Sequence, residues 1–421
     1  MKLKKILNNN SLLAGSAVMI FGSLGVNAIN YFYHIVMGRL LGPADYGELI
    51  SLYAILYIIS VAPMSTSYAI VKEISRAKNK KERSIVYYSL RRYLWRFAIA
   101  SSIFFVFMSP IIAHFLHIEG VFSTATVGFT LFFMLVLLED QAALQGTLNF
   151  FGVVASNLAS SLIKLIFGVI FIVLGLSVPG AMMAILLAVV ASYCVASLMV
   201  RGVISTRPPK KEIPLAPFLK FAFPVLLQAL AFVSLMSTDI ILVKHFLSPK
   251  DAGLYGALST LGKIIYFAAQ PVTAVMFPLV SGRKSRGEHY RHIFYASFVL
   301  TLLISSCVVF IYYLIPHVAI GILYGGEYLE AKSELVWMGL FITFYTASYL
   351  VVNFLLSINR VKIVILPLVA SIAQIVMIWS YHVNLLAVIK SSLTISILLF
   401  LSLGFYLANY QFRLMYANKK S

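Results

Sequence analysis

Two short stretches decide how this sequence reads: Leu40-Leu-Gly-Pro-Ala-Asp-Tyr-Gly47 and Phe246-Leu-Ser-Pro-Lys-Asp-Ala-Gly253. They lie 206 residues apart in a chain of 421, and each closes one long apolar run and opens another. In both, a proline fixes φ at the turn, an aspartate stands where the next helix needs a cap, and a glycine permits close backbone approach. The run after each copy carries a proline at nearly the same offset, Pro63 in the first and Pro271 in the second. A repeated turn followed by a repeated proline predicts two related halves.

The composition says what medium those halves occupy. Apolar residues make up 61% of the chain, aromatics 14% and charged residues only 11%, against about 25% charged in a soluble protein. Too little polar surface remains to cover a soluble molecule. Soluble enzymes, nucleic-acid-binding modules and disordered chains are thereby disfavoured. With a membrane span of roughly 20 apolar residues as the unit, polar breaks delimit twelve spans. They are 12–37, 46–71, 93–114, 120–142, 151–175, 178–200, 217–245, 252–280, 292–315, 331–357, 362–381 and 385–410. The basic opening Met1-Lys-Leu-Lys-Lys5 resembles a signal-peptide start. The apolar stretch behind it is too long for a cleaved leader, so it is expected to stay as the first helix.

Charge orients the spans. Lys+Arg number 33 against 14 Asp+Glu, a net charge of +19. In a membrane protein such an excess collects in cytoplasmic loops. The even-numbered connections are basic: nine cations lie between Lys72 and Arg96, and five between Arg201 and Lys220. Arg283, Lys284, Arg286 and Arg291 follow span 8, and Arg360 and Lys362 follow span 10. The odd connections are short and nearly neutral. Both termini are therefore expected to be cytoplasmic. The connection from Ala143 to Phe150 departs from this, because it should face inward yet carries no cation. Glu139 and Asp140 are read as lying at its edge. The basic segment from Lys72 to Arg96 either only fixes topology or also gathers anionic lipid.

Because six spans are even, the two halves share one orientation and are parallel repeats. The expected organisation is an N-terminal lobe at 1–200, a linker at 201–216 containing Arg207-Pro-Pro-Lys-Lys211, and a C-terminal lobe at 217–421. The fold class is all-α, a polytopic membrane protein with two pseudo-symmetric six-helix lobes around a central cavity. The opening helix with Gly38-Arg-Leu-Leu-Gly-Pro-Ala-Asp-Tyr-Gly47, the basic segment after span 2 and the related turn in the second half resemble the polysaccharide flippases. These are the Wzx-type lipid-linked oligosaccharide flippases of the multidrug/oligosaccharidyl-lipid/polysaccharide (MOP) exporter superfamily. The resemblance implies a V-shaped bundle whose helices 1, 2, 7 and 8 line the cavity. It also implies transport of a polyprenyl-pyrophosphate-linked sugar from the inner to the outer leaflet of the plasma membrane.

Ionisable groups at membrane depth cost about 2.5–3.5 kcal/mol on insertion scales, so each calls for a reason. In span 8, Ser259, Lys263, Tyr266 and Gln270 fall at i, i+4, i+7 and i+11, on one face. Span 5 carries Asn157, Ser161 and Lys164; span 1 carries Asn27, Asn30 and His34, with Arg39 at its outer end. Span 2 presents Tyr53, Tyr57, Ser60 and Ser67, and span 7 Gln228 and Asp239. Plainer readings stand beside the functional one. Lys263 pairs with Asp239, Lys164 snorkels or neutralises Glu139 or Asp140, and Asn27 and Asn30 join helices. In the same vein His34 is a packed residue, Arg39 an interface anchor, and the tyrosines packing or belt residues.

Taken together, deep cations exceed deep carboxylates, of which Asp239 alone is read as away from a span end. A cationic path lined by amides and hydroxyls suits a pyrophosphate carrying sugars, since Lys and Arg bind phosphate through charge-assisted hydrogen bonds. The partners expected are the polyprenyl-pyrophosphate-linked oligosaccharide and membrane lipid. The coupling ion, H+ or Na+, stays open, and neither nucleic acid nor a cofactor or metal is expected. A cell-wall precursor flippase, or a cation-coupled drug exporter of the same superfamily, are the alternatives. No nucleophile elbow, P-loop, HExxH or paired-carboxylate motif stands in the sequence, so no catalytic residues are named. Tyr324-Gly-Gly-Glu-Tyr328 reads as an external turn. Cys194 and Cys307 lie alone in apolar runs and read as packing residues.

Overall fold

The computed structural model describes residues 2–77, 79–204 and 216–420, with side chains outside 2–17, 62–66, 68, 69, 72, 216–225 and 410–420. Among the described residues there is no strand. Helices follow one another as α1 (Lys2–Arg76), α2 (Lys80–Phe115), α3 (Phe122–Gly146), α4 (Phe150–Val173), α5 (Ser177–Val203) and α6 (Ala216–Phe246). They continue as α7 (Pro249–Ser285), α8 (Arg291–Leu314), the eight-residue α9 (Pro316–Leu323), α10 (Leu335–Ser357), α11 (Ile365–Ser380) and α12 (Leu385–Lys420). Among the described residues, eleven helical stretches are long and apolar enough to cross a membrane. One of them, Val18–Val61, has 44 residues, about twice the length of a span.

That double stretch is where the first repeat turn sits. α1 runs through it with a single non-helical residue, Gly42, at φ 71° and ψ 174°. A side chain at this φ would be strained, and glycine carries none. Counting the two arms of α1 separately gives the twelve membrane-length helices of the sequence reading. The second copy turns differently. Ser248 ends the break after α6 with φ −63° and ψ 155°, accepts the Asp251 N–H at 3.1 Å, and donates to the Asp251 carboxylate at 2.6 Å, with Pro249 opening α7. The expected capping role of the aspartates is thus corrected. Ser248 is the cap and the Asp251 carboxylate accepts its hydroxyl, while Asp45 accepts a hydrogen bond from Ser177 at the start of α5. α7 is unbroken through Pro271 and Pro278. Pro63 lies outside the described side chains.

The chain divides into two compact units, Met1–Leu226 and Leu227–Ser421. In the first, α3 packs on α1, α2 and α5, and α4 packs on α1 and α5. In the second, α10 packs on α7, α8 and α12. Lys284, at the end of α7, donates to the carbonyl of Ile358, the C-cap of α10, at 2.5 Å, a cation where helix carbonyls are unpaired. Large apolar residues crowd the outside: Phe107 and Val173 are each 74% exposed. A surface of this kind fits lipid rather than water. The expected linker falls mainly on 205–215, outside the described residues.

Four expectations change here. Cys194 and Cys307 are free and exposed, so they fill no core. Tyr324 and Tyr328 are buried and paired at 5.2 Å, with a 3-10 helix (Gly326–Ala331) in place of a plain turn. Much of the basic segment after span 2 is helical, since α2 begins at Lys80. The cation-free connection is only Thr147 to Asn149: Asn149 caps α4 by accepting the Gly152 N–H at 3.1 Å, and Leu148 has φ 62°.

Candidate functional site

In the first unit, the parallel helix pair formed by the first arm of α1 and α4 builds a polar centre. Close approach of the pair is set by small residues. A Cβ on Gly22 would meet Val154 at 2.3 Å, and one on Gly168 would meet the Tyr33 ring at 3.0 Å. One turn before Gly168, Lys164 donates from Nζ to Asn30 Oδ1 at 2.7 Å. The same ammonium lies 4.5 Å from the Tyr33 ring centroid and 5.6 Å from that of Tyr53. His34 packs edge-on among Tyr33, Tyr46 and Tyr53, at centroid distances of 5.5, 6.5 and 5.0 Å. Lys164 is only 9% exposed, and no ion pair joins it to a carboxylate among the described residues. An amide oxygen and two ring faces solvate the ammonium but leave its charge uncancelled.

This corrects one reading of Lys164: it neutralises neither Glu139 nor Asp140, and its ammonium instead bonds Asn30 of span 1. Asp140 has its own partners, and neither carboxylate lies at a span edge. Both are fully buried in α3. Tyr87 donates to Asp140 Oδ1 at 2.5 Å, and Arg91 Nη1 stands 3.8 Å from the same oxygen. Arg91, counted above as a loop cation, is half-buried and reaches this carboxylate within the first unit. Asp239 is no longer the single deep carboxylate.

The second unit has its own centre. Asp239 of α6 is buried, accepts the Tyr255 hydroxyl at 2.6 Å and the Ile240 N–H at 2.9 Å, and has Lys263 within electrostatic reach. Here a carboxylate lies within electrostatic reach of the lysine, with no close ion pair between the two among the described residues. Tyr266 packs edge-on against Tyr345 and Tyr349, at 5.7 and 5.5 Å. Ser259 is buried one turn before Lys263.

Asn27, Arg39 and Gln270 are exposed and Gln228 is half-buried. Ser60 is buried and donates to the Tyr57 carbonyl at 2.8 Å. Sequence reasoning missed Tyr33, which the i, i+3 step from Asn30 would have placed beside it. It also missed Gln374, which donates to Ser392 Oγ at 2.9 Å and to the Leu235 carbonyl at 3.2 Å. Gln374 was hidden in a run of apolar residues. Among the described residues no three His, Cys, Asp or Glu side chains gather as metal ligands.

These features define a multi-pass membrane protein with a helical transporter fold, and solved structures share it. An inward-facing multidrug resistance MATE family transporter of the MOP superfamily aligns with TM-score 0.74 and 14% identity, over 90% of this chain and 95% of that one. Lipid II flippase MurJ in an inward closed conformation aligns with TM-score 0.78 and 14% identity, over 93% and 87%. A eukaryotic MATE transporter, AtDTX14, aligns with TM-score 0.68 and 15% identity, over 94% and 96%. No curated protein sequence matches the chain. The family model described as "Polysaccharide biosynthesis protein" matches residues 36–333, and the chain belongs to that family.

Proposed function

We propose that this protein is a flippase. It moves polyprenyl-pyrophosphate-linked oligosaccharide from the cytoplasmic to the outer leaflet of the plasma membrane for surface polysaccharide synthesis. Lobes at 1–200 and 217–421, joined by the linker at 201–216 and with both termini cytoplasmic, alternate access through a cationic cavity. The observation that carries this reading is Lys164, a buried ammonium held by Asn30 and two tyrosines with no carboxylate paired to it among the described residues. A site of uncancelled positive charge beside amide and aromatic groups favours an anionic headgroup over a cationic drug. Family membership supports a glycan cargo, and one structural relative is a lipid II flippase. A membrane potential negative inside also drives an anion outward, by roughly 2.3 kcal/mol per charge per 100 mV.

The test is a leaflet-resolved assay in proteoliposomes carrying a defined polyprenyl-pyrophosphate-linked oligosaccharide. Protein-dependent appearance of the glycan in the opposite leaflet is expected. Movement of a lipophilic cation with none of the glycan would overturn the reading in favour of a drug exporter.

A further inference from the structure

Glu139 stands about two turns before the end of α3, and no step proposed above uses it. Its side chain is fully buried, and neither carboxylate oxygen has a hydrogen-bond partner in the protein. The charged groups acting on it are Asp140 beside it and Arg91 from α2. From α2 the cluster also receives Tyr87, and from α5 Tyr193, whose hydroxyl accepts from Arg91 at 3.3 Å. α4 meets this part of α3 with uncharged groups, Ser156 and Asn157, which bind Gln141 at 3.1 and 2.7 Å. α1 contributes Ile70 and Ile74 to the apolar cluster that holds Ala142, Ala143 and Leu144. On the other side, Leu131, Leu135 and Val136 form a second cluster with Ala98. The carboxylate pair is sealed between two apolar layers.

The charges in that space do not sum to zero. One guanidinium faces two carboxylates. Asp140 has the donors that hold it as an anion, Tyr87 and Arg91, whereas Glu139 has none. An unpaired ion in such surroundings costs several kcal/mol, and a carboxyl group avoids the penalty by taking up a proton. We propose that Glu139 is a proton-binding site, held as the neutral acid beside the Arg91–Asp140 ion pair. The ligand is a proton and not a metal cation. Arg91 repels a second cation, Asp140 has only Oδ2 left to offer because Oδ1 accepts from Tyr87, and a hard cation asks for about six oxygen ligands. Loss of the proton leaves one uncancelled negative charge, which draws water or a cation between α2 and α3.

The test uses the full-length protein in proteoliposomes at neutral pH, treated with dicyclohexylcarbodiimide. This apolar reagent adds across a protonated carboxyl. The acid proton passes to a carbodiimide nitrogen, the carboxyl oxygen bonds the central carbon, and an acyl shift to nitrogen fixes the adduct with nothing leaving. Peptide mass spectrometry is expected to find the adduct on Glu139 at about tenfold or more over Asp140, and to lose it in Glu139→Gln. An infrared difference between wild type and Glu139→Gln, which needs no reagent access, is expected to contain the carbonyl stretch of a carboxylic acid. A difference containing only carboxylate bands would overturn the proposal. So would an adduct that sodium suppresses about tenfold at constant pH, because the site would then hold a metal cation.

Discussion

Replacing Lys164 by methionine separates a cargo-binding lysine from a structural one. The substitution keeps an unbranched chain one atom shorter and removes the charge. On the stabilising side, wild type has a charged hydrogen bond to Asn30 at 2.7 Å and a ring contact at 4.5 Å. Such a hydrogen bond is worth about 1.5–3 kcal/mol and the ring contact about 0.5–2 kcal/mol. Against them stands the insertion penalty of about 2.5–3.5 kcal/mol for a cation at depth. The two sides nearly cancel, so Lys164→Met should leave folding stability within about 1 kcal/mol of wild type. Transport should respond differently. Losing one charge-assisted contact to a phosphate, at about 1.5–3 kcal/mol, lowers flipping by about 10- to 100-fold. Thermal unfolding in detergent reads the first number and the leaflet-resolved assay the second. A loss of about 3 kcal/mol or more, the penalty for breaking a buried ion pair, would show that Lys164 is structural. Wild-type flipping in the variant would remove it from the site.

Arg91→Leu leaves Asp140 buried without its cation and should destabilise the first unit by about 3 kcal/mol; Arg91→Leu/Asp140→Leu should recover much of that in a double-mutant cycle. Gly168→Ala puts a methyl 3.0 Å from the Tyr33 ring, which should lower stability by about 1 kcal/mol and reduce flipping, since Tyr33 also carries the Lys164 ammonium. Outside the spans, hydrogen bonding and attraction from Arg286, with Arg283 nearby, hold the exposed Glu288 carboxyl below its ordinary range. The folded state therefore prefers the ionised form, and the small stabilisation is present above the ordinary glutamate value and lost as pH falls through the folded value. Glu288→Gln should remove that acid-side decline in melting temperature and leave the neutral-pH value close to wild type.

The turn pair at 40–47 and 246–253 and the long apolar runs were legible because membrane burial writes itself into long uninterrupted hydrophobic stretches. Local backbone detail was not. Gly42 and Ser248 occupy matching positions in the repeat, yet one breaks a continuous helix by a positive φ and the other caps a new one. The polar centres were half legible. Helical spacing put Asn30 and His34 on one face of span 1, and Ser259 and Lys263 on one face of span 8. Partner choice across helices carries no such period. Lys164 reaches a residue 134 positions away, and Asp140 one 53 positions away. Charge signs alone suggested that Lys164 and Asp140 belong together. Arg91, with Trp95 and two tyrosines about it, took that place instead.

The three-residue connection between α3 and α4 bears on how sidedness is to be mapped. Leu148 sits at a positive φ and the Asn149 side chain closes the next helix, so an epitope or reporter spliced in there would tear the hairpin it is meant to report on. A silent or reversed signal from that position would then describe a damaged molecule. The five-residue connection at 286–290, which contains Gly287, is the better place to ask which compartment a loop sees.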